Sequence, residues 1–256
     1  MKKKVILISI DGMRPDGLLA CGNPYVSELE KMGSYTYHGS SVKPSVTLPC
    51  HYSMSHSVVP ERHGILTNTY VPEVRPVKGI FEVLAGAGKS SAFFYGWEEL
   101  RDIARPASLK YAVYINSYVD ESVDTLLTDE AIERIEKSSP DFVFLYLVDT
   151  DHAGHKHGWM SDAYIAKISL AIDNVKRVID KFLSEYDVII MADHGGHDRS
   201  HGTESPEDMT VPFFYIGEPF EGGRELFGLS LLNIAPTVAK LMDVAPDPEW
   251  DGEAIF

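Results

Sequence analysis

Acids and histidines of the kind that ligate divalent cations collect at three places in this chain. Residues 188–201, VIIMADHGGHDRSH, run from an apolar segment into Asp193, His194, His197 and His201. Residues 142–158, FVFLYLVDTDHAGHKHG, run from another into Asp149, Asp151, His152, His155 and His157. Residues 5–12, VILISIDG, deliver Asp11. Carboxylate oxygen and imidazole nitrogen suit Zn²⁺ or Mn²⁺, and carboxylate alone suits Mg²⁺. Open α/β sheets build their sites at the carboxyl ends of strands. Three apolar runs ending this way predict one metal site assembled from distant sequence. Taken singly, Asp11 is as well explained by a turn cap beside Gly12, and the other two clusters by solvated loops. Their crowding together argues against those readings.

A nucleophile candidate lies in KPSVTLPCHYS, residues 43–53. His51–Ser57 suits a short helix, which places Thr47 near a helix N-terminus. There its hydroxyl has two alternatives. It caps the helix, or it attacks a phosphoryl group drawn in by the free N–H groups of the helix end. The spacing Asp151-x-x-x-His155 puts acid and imidazole on one ion if the loop after the strand opens into a helical turn.

Elements to position these groups are legible. Buried strands are expected at Val5–Ile10, Ser91–Tyr95, Phe142–Val148, Val188–Ala192 and Pro212–Ile216. Edge strands are expected at Tyr35–Val42 and Tyr111–Tyr118. Ile165, Ile168, Ile172, Val175, Ile179 and Phe182 step by three and four, predicting a helix from Ser161 to about Leu183 with Ser161 as its N-cap. A second helix is predicted over Asp120–Lys137, with Val123, Leu126, Leu127, Ala131, Ile132 and Ile135 on its apolar face. Shorter ones are predicted at Val77–Ala87 and Asn233–Met242, with Pro236 in the first turn of the latter. Strands alternating with helices predict an α/β fold with a largely parallel sheet. The signals continue from end to end, so residues 1–256 are expected to form a single domain.

Composition narrows the function classes. The chain has 256 residues, 44% hydrophobic and 24% charged, within the range of ordinary globular proteins. A formal net charge of −15 argues against a nucleic acid polymer as partner. It does not exclude a small phosphorylated substrate, because bound metal ions invert the local charge. Two cysteines, Cys21 and Cys50, imply no disulfide framework. The apolar run after the N-terminal lysines is too short for a signal h-region, and no stretch is long enough to span a membrane. A cytoplasmic location without membrane contact is expected, and oligomeric state is not readable.

The blocks IDGMRPD, KPSVTLPCHYS, PERHGILTN, DTDHAGHKHG, MADHGG and SHGTES, closed by NIAPTVAKLMDV and DPEWDG, resemble the alkaline phosphatase superfamily. Within it they are most similar to the nucleotide pyrophosphatase/phosphodiesterase (type I phosphodiesterase) branch. The resemblance covers nearly the whole chain. It implies an alkaline-phosphatase-like three-layer α/β/α sandwich around a mostly parallel central sheet, here with a minimal cap. It also implies a dinuclear centre of two divalent ions, Zn²⁺ or alternatively Mn²⁺. Carried over by position, Asp11, Thr47, Asp193 and His194 match the ligands of one ion. Asp151, His155 and His201 match those of the other. Thr47 matches the nucleophile, and Asn68 the asparagine that holds a phosphoryl oxygen. Lys43 matches a lysine with no assigned role. His152, His157 and His197 fall outside the ligand set, with His157 the first substitute.

The implied activity is metal-dependent hydrolysis of small, nucleotide-like phosphodiesters or pyrophosphates through a phospho-threonine intermediate. The alternatives are a phosphomonoesterase, a mutase or a sulfuryl hydrolase of the same superfamily, or an inert metal-binding relative. Phosphodiester preference in this branch goes with a Thr nucleophile and no arginine clamp. No arginine adjoins Thr47, although Arg14, Arg62 and Arg199 lie on loops that reach inward. Cys50 stands where the branch commonly has Asn, and His56-Ser57 where it commonly has Thr-Gly. The context of Cys50 lacks the C-x-P-x-R pattern of sulfatases. Only six residues separate His194 from His201, where larger relatives carry a long insertion, so a more open site is expected.

Overall fold

Val5, Ile6, Ile8 and Ile10 are β-branched residues in a six-residue run, stiff side chains that favour a pleated strand. They lie at the centre of a seven-stranded sheet in a computed structural model that describes residues 4–119 and 122–256. The strands are β1 (Val5–Ile10), β2 (Ser34–Ser40), β3 (Ser91–Tyr95), β4 (Tyr111–Tyr114), β5 (Phe142–Leu147), β6 (Asp187–Met191) and β7 (Thr210–Ile216). Their order is β2-β7-β6-β1-β5-β3-β4. From β6 to β4 all neighbours are parallel; β7 runs antiparallel to β6, and β2 antiparallel to β7. Every residue of β1, β5 and β6 is buried, as strands covered on both faces require.

The helices are α1 (Pro15–Ala20), α2 (Tyr25–Met32), α3 (Thr47–His56), α4 (Pro60–His63), α5 (Ile80–Gly86), α6 (Val123–Ser138), α7 (Asp149–His157), α8 (Asp162–Phe182), α9 (Pro206–Met209) and α10 (Ile234–Leu241). One group, α3, α5 and α10, packs together; α1, α2 and α6 pack on α8. The two groups sandwich the sheet, giving the expected three α/β/α layers. The Ser161 hydroxyl accepts the N–H of Tyr164 and caps α8, and Ile168, Ile172, Val175, Ile179 and Phe182 are buried beneath it.

The register positions the site. Ile10 pairs with Leu147 and Ser9 with Met191, so three adjacent parallel strands end at nearly one level. Asp11, Val148 and Ala192 follow them directly.

Several expected boundaries shift. The helix expected from Asp120 begins at Val123; Asp120 itself lies outside the described residues. Leu126 is largely exposed, which narrows that helix's apolar face. The helix expected over Val77–Ala87 starts only at Ile80, because the Gly79 N–H donates to the Glu82 carboxylate at 3.0 Å, which makes Gly79 the N-cap where the loop ends. The edge strands stop at Ser40 and Tyr114, short of Val42 and Tyr118. Residues 149–157, expected as a loop, form helix α7. No described helix is long and apolar enough to cross a membrane.

Candidate metal centre

Among the described residues, two groups of metal-type donors form. Asp11, Asp193 and His194 make one, Asp151, His155 and His201 the other, each with its ligand atoms within 4.8 Å of one another. The first group is fully buried. His194 Nε2 lies 3.2 Å from Asp11 Oδ1 and 3.4 Å from Asp193 Oδ2. Thr47 Oγ1 lies 3.1 Å from the same Nε2. In the second group His155 Nε2 is 3.5 Å from Asp151 Oδ2, and His201 Nε2 is 3.7 Å from Asp151 Oδ1. Because α7 is a helix, Asp151 and His155 sit one turn apart on one face. The imidazoles of His194 and His201 stack with centroids 3.9 Å apart, so the two groups adjoin.

All three histidines are oriented alike. The Nδ1–H of His155 donates to Arg199 O at 2.9 Å, that of His194 to Gly195 O at 2.8 Å, and that of His201 to Ser45 O at 2.8 Å. A carbonyl only accepts, so Nδ1 carries the proton and Nε2 faces the carboxylates. This is the outer support that metal-ligating histidines receive.

The donor set fits divalent cations by a second criterion. Asp11 Oδ1, Asp151 Oδ1 and Asp193 Oδ2 are buried and, with His194 Nε2 unprotonated, meet no hydrogen-bond donor in the protein. Buried carboxylate oxygens without donors are costly unless a cation meets them. The charges respond accordingly. Burial, reinforced by the Asp11 charge, pushes the carboxyls of Asp151 and Asp193 well above the usual range. Burial opposes the charge on His194, yet Asp193 and Asp11 raise its imidazolium to about 10. Burial likewise opposes ionisation of Asp11, but His194 and His51 hold its carboxyl below the usual range. The cluster draws in positive charge.

Gly12 joins the two groups. Its N–H donates to Asp193 Oδ1 at 3.2 Å, while its carbonyl accepts from Trp159 Nε1 at 3.0 Å and the Tyr164 hydroxyl at 2.8 Å. Its φ of +67° is left-handed, which favours glycine, and a Cβ there would crowd Asp151 at 3.3 Å.

Thr47 does not cap α3. Val46 is the N-cap residue, without a side-chain cap bond, and Thr47 is the first helical residue with its hydroxyl turned to His194. The helix end is nonetheless engaged. Asn68 Oδ1 accepts the Leu48 N–H at 3.0 Å, and Pro49 has no N–H to satisfy. That cavity, about 610 Å³, is lined by Asp11, Thr47, Asn68, Asp151, His155 and His201. It continues along α7 past Trp97, His152 and the exposed Tyr118, Lys156 and His157.

The remaining candidates lie elsewhere. His197 pairs with Asp208 at 2.7 Å, and Lys43 with Glu204 at 2.6 Å. Arg14 pairs with Asp16, Arg62 with Glu249, and none of Arg14, Arg62 and Arg199 lines the cavity. His152 stacks on Tyr118 at the cavity wall.

Sequence reasoning missed His51 and Tyr146. The Tyr146 hydroxyl donates to Asp11 Oδ2. His51 donates from Nδ1 to Thr47 O at 2.9 Å, lies 3.3 Å from Asp193 Oδ2, and accepts the Ser9 hydroxyl on Nε2 at 3.0 Å. Burial lowers its pKa to about 4, which keeps it neutral. The only signal for it was the four-residue step from Thr47, one turn of helix.

Comparisons with known proteins place the chain among metalloenzymes. Residues 73–246 match the family described as the metalloenzyme superfamily, and residues 5–114 the family described as type I phosphodiesterase / nucleotide pyrophosphatase. Ectonucleotide pyrophosphatase/phosphodiesterase family member 1 of Mus musculus is 27% identical over 220 residues, covering 74% of this chain and 24% of that protein. The catalytic subunit of GPI ethanolamine phosphate transferase 2 of Homo sapiens is 25% identical over 236 residues, covering 85% of this chain and 24% of that protein. The chain thus spans about a quarter of the length of the curated relatives it matches. Among solved structures, murine ectonucleotide pyrophosphatase/phosphodiesterase 5, inactivated and in complex with AMP, superimposes with a TM-score of 0.82 at 15% identity, covering 96% of each chain. A phosphonate monoester hydrolase from Silicibacter pomeroyi gives 0.78 at 14% identity, covering 98% of this chain and 75% of that one. Both likenesses are likenesses of fold.

Proposed function

The chain belongs to the metalloenzyme superfamily, in its type I phosphodiesterase/nucleotide pyrophosphatase branch, and from that premise we propose that it hydrolyses small phosphodiesters or pyrophosphates with Thr47 as nucleophile. The observation that carries the reading is Thr47 Oγ1 at 3.1 Å from His194 Nε2, on the first turn of α3 and beside three donorless carboxylate oxygens. Asp11, Thr47, Asp193 and His194 would hold one divalent ion, and Asp151, His155 and His201 a second. Zn²⁺ suits these nitrogen and oxygen donors, with Mn²⁺ as the alternative. When bound, such ions supply the Lewis acidity that lowers the hydroxyl pKa and offsets charge on the phosphoryl oxygens.

The protein's own groups do the rest. The Thr47 hydroxyl gives its proton to solvent, Oγ1 bonds to phosphorus as the bond to the leaving oxygen breaks, and that oxygen takes up a proton from solvent. With Asn68 Oδ1 committed to Leu48, the amide Nδ2 is the end that donates to a phosphoryl oxygen. Water then cleaves the phospho-threonine, restoring the hydroxyl and releasing a phosphomonoester. His51 and Tyr146 hold the Thr47 carbonyl and the Asp11 carboxylate in place throughout. A nucleotide-like substrate is supported by the relatives' printed descriptions, including the solved relative's complex with AMP. The assignment of residues 1–256 to one catalytic domain and a cytoplasmic location belong to the same proposal.

The test is turnover of an aryl phosphodiester against the matching monoester, with Zn²⁺ or Mn²⁺ supplied. Faster hydrolysis of the diester is expected. Faster hydrolysis of the monoester sinks the diesterase assignment while leaving the metal centre standing.

A further inference from the structure

Trp159 is an apolar residue in an otherwise polar segment, and it is 7% exposed. Its ring is wedged between two glycines from different parts of the chain. A Cβ on Gly154 of α7 would lie 2.6 Å from the indole, and one on Gly196 would lie 2.3 Å from it. Neither position tolerates a side chain while the indole stays. The His155 ring meets the indole edge-on with centroids 5.0 Å apart, and the His201 ring lies at 5.9 Å. The indole N–H donates to Gly12 O at 3.0 Å, and the Trp159 backbone N–H donates to Asp198 O at 2.8 Å.

These contacts join three segments that supply donors: the end of β1, helix α7, and the loop after β6. His155 and His201 come from the latter two, 46 positions apart by their numbers. Their Nδ1 atoms are held by backbone carbonyls, which set ring tilt along one axis. A flat aromatic surface beside both rings restricts rotation about the other. Aromatic edge-to-face contacts favour one orientation over its neighbours.

We infer that Trp159 is a positioning residue for the second donor group, fixing His155 and His201 so that their Nε2 atoms converge with Asp151 on a divalent cation. The inference rests on the two-ion reading above. The indole reaches the first group only indirectly, through its bond to Gly12 O, whereas it touches the rings of His155 and His201 themselves.

The experiment is calorimetric titration of Zn²⁺ into metal-stripped full-length protein, wild type and Trp159→Phe. Phenylalanine retains much of the bulk but loses the N–H and part of the surface. The wild type is expected to take two ions. In Trp159→Phe one is expected to bind within about threefold of its wild-type affinity, and the other about 10–100-fold more weakly, the usual effect of losing an outer support. Equal affinities in variant and wild type overturn the inference and leave the two-ion reading intact. So does equal weakening of both ions together with a lower Tm, the mark of a merely structural residue. A wild type that binds no ion sinks the two-ion reading itself. Should Trp159→Phe fail to fold, a chain with Trp97→Phe and Trp250→Phe reports through Trp159 emission. A change in emission with the second equivalent of Zn²⁺ is expected; no change with either equivalent overturns the inference.

Discussion

Asn68 Oδ1 accepts the backbone N–H of Leu48 at 3.0 Å, one residue beyond Thr47. An exposed loop residue at the cavity wall is thereby referenced to the first turn of α3. Asn68→Asp keeps the bond to Leu48 but presents an anionic oxygen where the amide donates. Its turnover of a phosphodiester is expected to fall by about 10²–10³, the scale for loss of an oxyanion donor, and further than that of Asn68→Ala. Steady-state kinetics on both variants decide; an Asn68→Asp enzyme as active as wild type removes Asn68 from phosphoryl binding.

Thr47→Ala deletes the hydroxyl 3.1 Å from His194 and leaves the six other donor side chains in place. Turnover is expected to fall by at least about 10³, as covalent catalysis is lost, while metal content stays close to that of wild type. Elemental analysis beside the rate measurement separates the two effects. Retained activity excludes Thr47 as nucleophile.

Chelation should destabilise the fold, because the ions would meet buried carboxylate oxygens that no protein group pairs. At free metal about 100-fold above Kd the stabilisation is about 2.7 kcal/mol per ion, or a Tm fall of about 5–10 °C for each ion removed. Scanning calorimetry with EDTA, then with Zn²⁺ restored, measures it. An unchanged Tm counts against bound ions in this centre.

His197 and Asp208 make a pH-dependent tether. The hydrogen bond His197 donates to Asp208 raises its pKa above 6.5, so its contribution is complete below about 6.5 and is lost as pH rises through the folded value. Burial opposes ionisation of Asp208, but His197 and Thr203 lower its carboxyl below 3.8, so its contribution is lost as pH falls through that lowered value. His197→Gln is therefore expected to cost most stability between about pH 4 and 6.5, and less at pH 9. With His197 largely solvated, the difference in Tm should be only about 1–2 °C. A difference that grows toward pH 9 contradicts the assignment.

Gly12→Ala combines left-handed strain with crowding against Asp151. A loss of about 1–3 kcal/mol is expected in urea titrations, together with weaker binding of Zn²⁺. Wild-type stability in this variant contradicts the geometry at the junction of the two groups.

Much of the centre was legible because it depends on side-chain chemistry at strand ends. Asp11, Asp151 and Asp193 were marked by apolar runs that ended in acids, and parallel register brings those ends together. Asn68 was legible only through resemblance, since its partner is a backbone N–H. Helix α7 was not legible. Its nine residues carry no apolar stripe, and its N-terminus is held from afar: Asp124 of α6 accepts the N–H groups of Val148 at 2.7 Å and Asp149 at 3.1 Å. A cap supplied by another helix leaves no local trace. Trp159 escaped notice for a related reason: the groups that seat it are two glycines and a carbonyl, which have no side-chain chemistry to read.

The loop between His194 and His201 has little freedom to travel. Asp208 takes His197 Nδ1 at 2.7 Å near its start and the Thr203 N–H at 2.8 Å just beyond its end, and the N–H groups of Gly195 and Gly196 are held by Asp208 O and Glu207 O. Held at Gly195, Gly196, His197 and Thr203, this segment stays beside the cavity rather than folding over it. Under the proposed activity, substrate would reach the centre along α7, past His152, Lys156 and His157, without this loop moving.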